Sequence, residues 1–319
     1  MQPTQYDIAR LTGLSQATIS RALRGDPSVI QDTRDRILAA CAELNYRPSI
    51  GARLLAEGRR AMIGISLSRD ALPTDRYVTL LYQNLVQQLD DSGWGVTLLA
   101  ASELVVRMAT VGAVILIGVE EHDPRVALCK RAEVPFVAIG YVSEPDVFSV
   151  TPDDADGARQ VVAHFQALGR RRFAMMSSYN RGQGPAMGIR ADVAMSEATR
   201  LGLSVEHIDA EPDITSTLCG YRTAMRHKDT LARVDCLFCD TDEHALGAAA
   251  AIRDLGLRIP QDITVAGFDD LPGLSHRLTT VRQDLAEIAR STIVLREEAI
   301  LGTPARKIVV PVTLILRDT

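Results

Sequence analysis

The sequence predicts an all-α helix-turn-helix head followed by an α/β body of two lobes, each a parallel sheet flanked by helices. Three observations predict it. Apolar residues recur at helical spacing through the first 44 positions and then stop. From residue 61 short strand-like runs alternate with amphipathic helical stretches, the pattern of parallel sheets with covering helices. Eight or more such runs over the remaining 260 or so residues exceed one compact sheet, so the body divides.

The head comes first. "YDIARLT" places Ile8, Ala9 and Leu11 on one helical face, and Gly13-Leu14 make a tight turn. Ser15 is positioned as an N-cap, its hydroxyl free to accept from an amide one turn in. "QATISRAL" then forms a second helix with Ile19 and Leu23 turned inward, and "RGDPS" breaks it. A third helix, about 32–44, buries Ile37, Leu38, Cys41 and Leu44. Two short helices around a three-residue glycine turn, buttressed by a third, make a helix-turn-helix unit. Residues 45–60 read as a linker in which "IGARLLA" is only about two turns long, too short to be stable alone.

In the body the strand candidates are "AMIGISL", "VTLLA", "AVILIGV", "PFVAIG", "FAMMS", "CLFC", "ITVAGF" and "VVPVTLIL". Helix candidates span 77–92, 154–168, 187–201, 216–228, 243–255 and 284–300.

Composition limits the function classes. The 319 residues are 46% hydrophobic and 24% charged, an ordinary globular balance. No apolar run approaches the roughly 18 residues that span a bilayer. Polar and charged groups run through the first 25 residues. The expectation is a cytoplasmic protein with no membrane partner. Five scattered cysteines do not form a disulfide framework, and the Cys236/Cys239 pair lies in an apolar strand with no further metal ligands nearby. There is no G-x-G-x-x-G after a strand, no Walker A loop and no G-x-S-x-G elbow, so neither catalysis nor a cofactor is expected. Charge is uneven: residues 1–60 carry nine arginines against six acids, +3, leaving −8 on the rest. A mildly basic head on an acidic body suggests an anion-binding module joined to something else.

Gln16, Ala17, Ser20 and Arg21 share the exposed face of the second helix, which can enter a DNA major groove. Arg21 can donate two hydrogen bonds to guanine, Gln16 can bond adenine or a phosphate, and Ala17 can touch a thymine methyl. The plainer alternative is a solvated face on a three-helix bundle. Leu54 and Leu55 follow Arg53 in the linker, an arrangement suited to a minor-groove wedge or to interdomain packing.

The chain resembles the LacI/GalR family of bacterial transcription regulators over nearly its whole length. The carrying segments are "YDIARLTGLSQATISRALRG", "LNYRPSIGARLL", "FCDTDEHALGAAAAIRDLGLRIPQDITVAGFDDLP", "LTTVRQ" and "VPVTLILRDT". The resemblance implies a DNA-binding head at 1–48, a hinge helix and linker at 49–60, and a periplasmic-binding-protein-like body at 61–319. In the body, the N-lobe takes about 61–153 and 286–309, and the C-lobe about 154–285 and 310–319. It further implies a homodimer on double-stranded operator DNA, a small-molecule effector (a sugar or sugar derivative) between the lobes, and repression as the output. The implied DNA contacts are Ser15, Gln16, Ala17, Thr18, Ser20 and Arg21 in the head, with Gln16, Ala17 and Arg21 at the base-reading positions and Thr18 and Ser20 meeting phosphates or packing, and Ala52, Arg53 and Leu55 in the hinge, with Leu55 intercalating. Implied effector contacts are Arg190 in "GIRADVA" and Asp269 in "GFDD", either of which could instead be an ordinary surface or strand-end charge, Thr241 and Asp242 in "CDTDEHA", and Tyr77, which could equally be a packing residue. The alternative function is a small-molecule binding protein with no DNA role. Two departures stand out. Gly140 sits where relatives often carry an acid, and "ELVVRMATV" leaves little room for the usual second helix of the first lobe.

Overall fold

The computed structural model describes residues 4–23, 28–44, 62–68, 76–100, 102–119, 122–178, 185–210, 216–274 and 276–319. The chain falls into two units, Met1–Arg59 and Arg60–Thr319.

In the first unit, α1 (Gln5–Thr12) begins at Thr4, whose amide and hydroxyl both donate to the Asp7 carboxylate. It ends at Gly13, where the left-handed φ of 69° closes the turn. The second helix, α2 (Gln16–Leu23), starts at Ser15, whose Oγ accepts from Thr18 N at 3.1 Å, the expected cap. The third, α3 (Gln31–Glu43), completes a core of Ile8, Ile19, Ala22, Val29, Ile37, Ala40 and Cys41. Two expected core residues are instead at the surface: Leu38 is 51% exposed and Leu11 46%. The small unit has one core face per helix, and Ile37 and Ile8 occupy it.

The second unit holds two six-stranded sheets. The first contains β1 (Met62–Leu67), β2 (Gly95–Leu99), β3 (Ala113–Val119), β4 (Phe136–Gly140), β5 (Ser149–Pro152) and β11 (Lys307–Val310). Its order is β11-β5-β4-β3-β1-β2, and every pairing is parallel. The second contains β6 (Arg172–Ser177), β7 (Ser204–Asp209), β8 (Cys236–Cys239), β9 (Thr264–Asp269), β10 (Thr279–Gln283) and β12 (Val312–Ile315). Its order is β12-β10-β9-β8-β6-β7, parallel except where β12 runs against β10.

The chain passes between the sheets three times. After β5 it enters α7 (Asp154–Ala167), which packs Ala158, Val161, Val162 and Phe165 on the second sheet. After β10 it returns through α12 (Leu285–Leu301) to the first. At Pro311 it crosses again. "VVPVTLIL", read as one strand, is therefore two strands in different sheets. Proline has no amide to continue a ladder, and the chain changes lobes there. The remaining helices are α4 (Arg76–Asp91), α5 (Leu104–Arg107), α6 (Pro124–Arg131), α8 (Pro185–Arg200), α9 (Thr217–Arg226), α10 (Lys228–Leu231) and α11 (Asp242–Asp254). The short "ELVVRMATV" stretch supplies only the four-residue α5 and a 3-10 turn at Met108–Thr110. Among the described residues no helix is long and apolar enough to cross a membrane. All five cysteines are buried thiols, with Cys236 and Cys239 packed into the cores on opposite faces of the second sheet.

Candidate functional site

The head presents one polar face. Along α2, Gln16, Ala17 and Arg21 are exposed, Thr18 and Ser20 are half-buried, and Ile19 and Ala22 lie in the core. Ser15 is exposed, its hydroxyl tied to Thr18 N and Oγ1. This spacing leaves an arginine and a glutamine free to reach a groove while the opposite face is anchored. Ala52, Arg53 and Leu55 of the hinge lie outside the described residues.

The body gathers its polar groups at one end of the strands. Tyr141 follows β4, Asp154 follows β5, Ser178 follows β6 and Asp240 follows β8, while Asp269 ends β9 and Gln283 ends β10. These are all carboxyl ends, where open α/β sheets bind ligands. The strands there turn into helices, so backbone leaves the ladder and side chains take over its polar pairing.

Arg190, on α8, is the hub and is buried. Its Nε donates to Asp154 Oδ1 at 2.6 Å, and its Nη1 donates to the Asp240 carbonyl at 2.7 Å and to Asp269 Oδ1 at 3.4 Å. The guanidinium also stacks on Phe268, 3.7 Å from the ring centroid. Gln283 Nε2 donates to Asp269 Oδ1 at 2.6 Å, and the Tyr77 hydroxyl donates to Gln283 Oε1 at 3.1 Å. A continuous chain thus runs from Tyr77 on α4 through Gln283 and Asp269 to Arg190 and Asp154. A second branch joins Asp240 to Ser178, through its amide at 3.0 Å, and to His244 Nδ1 at 2.6 Å.

Burial works against every charge here, and the partners decide the outcome. For Arg190 burial favours loss of the proton, but Asp154 and Asp269 outweigh it and raise its pKa. For His244 burial is again overcome, here by Asp240, and its pKa rises to about 10. Asp240 is correspondingly held below the usual carboxylate range, His244 outweighing its burial. Asp154 goes the other way: burial pushes it up and Arg190 only partly opposes this.

Sequence reasoning identified Tyr77, Arg190 and Asp269, and the structure brings those three together. Thr241 and Asp242 lie nearby with their hydrogen bonds made inside the lobe. Thr241 Oγ1 caps α11 by accepting from His244 N, and Asp242 accepts from Leu271 N at 2.8 Å and from the Thr280 hydroxyl. Sequence reasoning missed Asp154, Asp240, Ser178 and Gln283. For Ser178 and Asp240 a usable signal was present, because each follows an apolar strand run; β5, before Asp154, and β10, which ends at Gln283, were not among the strand candidates. Gly140 sits in a conformation that disfavours any side chain. The backbone there has φ of 135°, and a β-carbon would sit 3.0 Å from the Val119 carbonyl oxygen, so a side chain is strained whatever its charge.

The Asp242 environment gives a pH prediction. Burial, reinforced by Asp270 and opposed by Thr280 and the Leu271 amide, raises its pKa to about 7. A raised folded-state pKa means that this group's contribution is full below the unfolded value near 3.8 and is lost as pH rises through about 7. Relative to Asp242→Asn, the wild-type chain is expected to lose roughly 2–3 kcal/mol between pH 5 and 7.5. Urea unfolding of both proteins at the two pH values measures it, and parallel pH profiles would refute the assignment.

Residues 4–49 match the family described as bacterial regulatory proteins, lacI family, and residues 162–319 match the periplasmic binding protein-like domain. The chain is 30% identical to the HTH-type transcriptional regulator MalR of Streptomyces coelicolor, over 94% of this chain and 90% of MalR. It is 26% identical to the lactose operon repressor of Escherichia coli, over 100% of this chain and 91% of the repressor. Among solved structures, the transcriptional regulator CelR–cellobiose complex superposes with a TM-score of 0.73 at 23% identity, covering 99% of each chain. The lac repressor dimer bound to operator and the anti-inducer ONPF superposes at 0.72 with 24% identity, covering 100% of this chain and 99% of that one. At those identities the structures speak to the fold.

Proposed function

The chain belongs to the LacI family of bacterial regulatory proteins, and from that premise we propose that it is a sequence-specific DNA-binding repressor. A small-molecule effector of the sugar class, held between the two lobes of residues 60–319, controls its affinity for operator DNA. The protein acts as a homodimer in the cytoplasm, each head reading one half-site. The reading assigns binding to the body and no catalytic step. Ala52, Arg53 and Leu55 take the minor-groove role, with Leu55 as the wedge.

One observation carries this reading: α2 keeps Gln16, Ala17 and Arg21 exposed on a unit separate from the one that buries the Arg190 cluster. The head has a readable face and little else to use it for. The body has a polar site at the strand ends, where Arg190 and Asp269 could meet ligand hydroxyls.

Base selection is the test. Arg21→Ala is expected to cost on the order of 1–3 kcal/mol at a single base position and to relax selection there, because a bidentate arginine–guanine pair is lost. Selection from a randomised duplex library, followed by affinity measurements on single-base variants, reads the effect. A uniform loss across all sequences means that Arg21 meets phosphate and that the register of α2 is different.

A further inference from the structure

The cluster at the strand ends has acceptors to spare and few donors. Asp154, Asp240 and Asp269 surround a single guanidinium, whose Nε and Nη1 they already occupy. Asp240 is matched by His244 and Ser178, and Asp269 is shared with Gln283. Asp154 is the exception. It is fully buried, its Oδ1 is on Arg190, and its Oδ2 has no hydrogen-bond partner. A buried carboxylate oxygen left without a donor is costly and marks a place that another molecule can satisfy. Tyr141 borders it closely enough that, after burial, Asp154 and Asp153 are what lift its hydroxyl pKa to about 12. The phenol therefore stays neutral beside the carboxylates.

Charge decides which molecule fits. Four carboxylates, Asp153, Asp154, Asp240 and Asp269, stand against Arg190 and His244. We propose that this cleft selects an uncharged polyhydroxylated ligand, a neutral sugar or polyol that donates a hydroxyl to Asp154 Oδ2, and rejects sugar acids and sugar phosphates. The inference rests on the reading above that a sugar-class effector occupies the cleft. A ligand carboxylate or phosphate would compete with Asp154 and Asp269 for Arg190 and would have to lie against both carboxylates to reach it. It would also add negative charge to a site that already has an excess. An ammonium beside Asp154 would face the guanidinium 2.6 Å from the same carboxylate. A hydroxyl brings a donor and no charge, which is what the Oδ2 position lacks.

The experiment is a thermal-shift and calorimetry screen of the full-length chain at pH 7.5 against matched sets. Glucose, galactose, mannose, maltose, cellobiose and glucitol form the neutral set, glucuronate, galacturonate, gluconate and glucose 6-phosphate the anionic set, and glucosamine the cationic control. The expected result is that at least one neutral compound raises the melting temperature while its anionic counterparts do not. Asp154→Asn should then weaken that neutral compound roughly tenfold or more. An anionic compound binding as well as or better than its neutral partner overturns the proposal and leaves a sugar-class effector standing, and so does binding by glucosamine alone. No shift with any set overturns both. The wild-type comparison needs no variant, so a misfolded Asp154→Asn leaves the test intact.

Discussion

Arg190→Met is expected to cost the body about 3–5 kcal/mol at neutral pH, because removing one partner of a buried ion pair strands the others. Methionine is the informative choice. It keeps apolar volume against Phe268, so lost packing is small and the effect isolates charge. Asp154 and Asp269 would remain buried, with Gln283 still donating to Asp269. The loss carries a pH signature. Asp154 is already raised by burial despite Arg190, and without the arginine its folded-state pKa rises further above the unfolded value. The variant therefore recovers stability as pH falls and the carboxyl takes up its proton. Urea unfolding at pH 5 and pH 8 should show the larger deficit at pH 8. Adding Asp154→Asn to Arg190→Met should return part of the loss, since neutral partners need no counter-charge. A deficit below about 1 kcal/mol, or one independent of pH, would show that Arg190 is not what balances these carboxylates.

The same cluster shows how far a linear reading reaches. The head was legible because its structure is local. Each short helix brings one isoleucine, Ile8, Ile19 or Ile37, to the shared core, and Ser15 and Gly13 cap and close the turn within three residues. Leu38 was misplaced because periodicity alone does not say which of two adjacent apolar positions faces a small core. In the body the apolar strands were legible and the polar ones were not. β7 alternates as "SVEHID" at the edge of its sheet, and β10, "TTVRQ", buries threonines rather than branched aliphatics. Motif resemblance pointed to Arg190 and Asp269. Asp154 lies 36 residues before Arg190 and Asp240 lies 50 after it, and the parallel strand order of the second sheet, with α7 packed on it, brings them within reach. Nothing in local spacing carries that information.

The second large effect concerns the wall behind the site. α9 and α11 touch backbone to backbone at two glycines. A β-carbon on Gly247 would lie 2.0 Å from the Thr217 carbonyl oxygen and 2.5 Å from the Tyr221 amide nitrogen, and one on Gly220 would lie 2.3 Å from the His244 carbonyl oxygen. Helix propensity and packing therefore make opposite predictions for Gly247→Ala. In an open helix interior the change would gain about 1 kcal/mol. Here no side chain can swing aside, because the obstructing atoms belong to the backbone of the facing helix. The helices must separate, and overpacking of that kind costs 1–3 kcal/mol and occasionally more. Backbone contact on this scale places Gly247→Ala at about 3 kcal/mol or more destabilising, with Gly247→Val abolishing folding of the body. The exposed Ala250 on the same helix supplies the control: Ala250→Gly should cost only the propensity difference of about 1 kcal/mol. Function should fall with stability, because α11 begins at Thr241 and carries His244, the partner of Asp240. Displacing the helix loosens Asp240, whose carbonyl accepts from Arg190, so effector response should weaken even at temperatures where the variant remains folded. A stabilised Gly247→Ala protein would mean that propensity wins and that the two helices are not in backbone contact in solution.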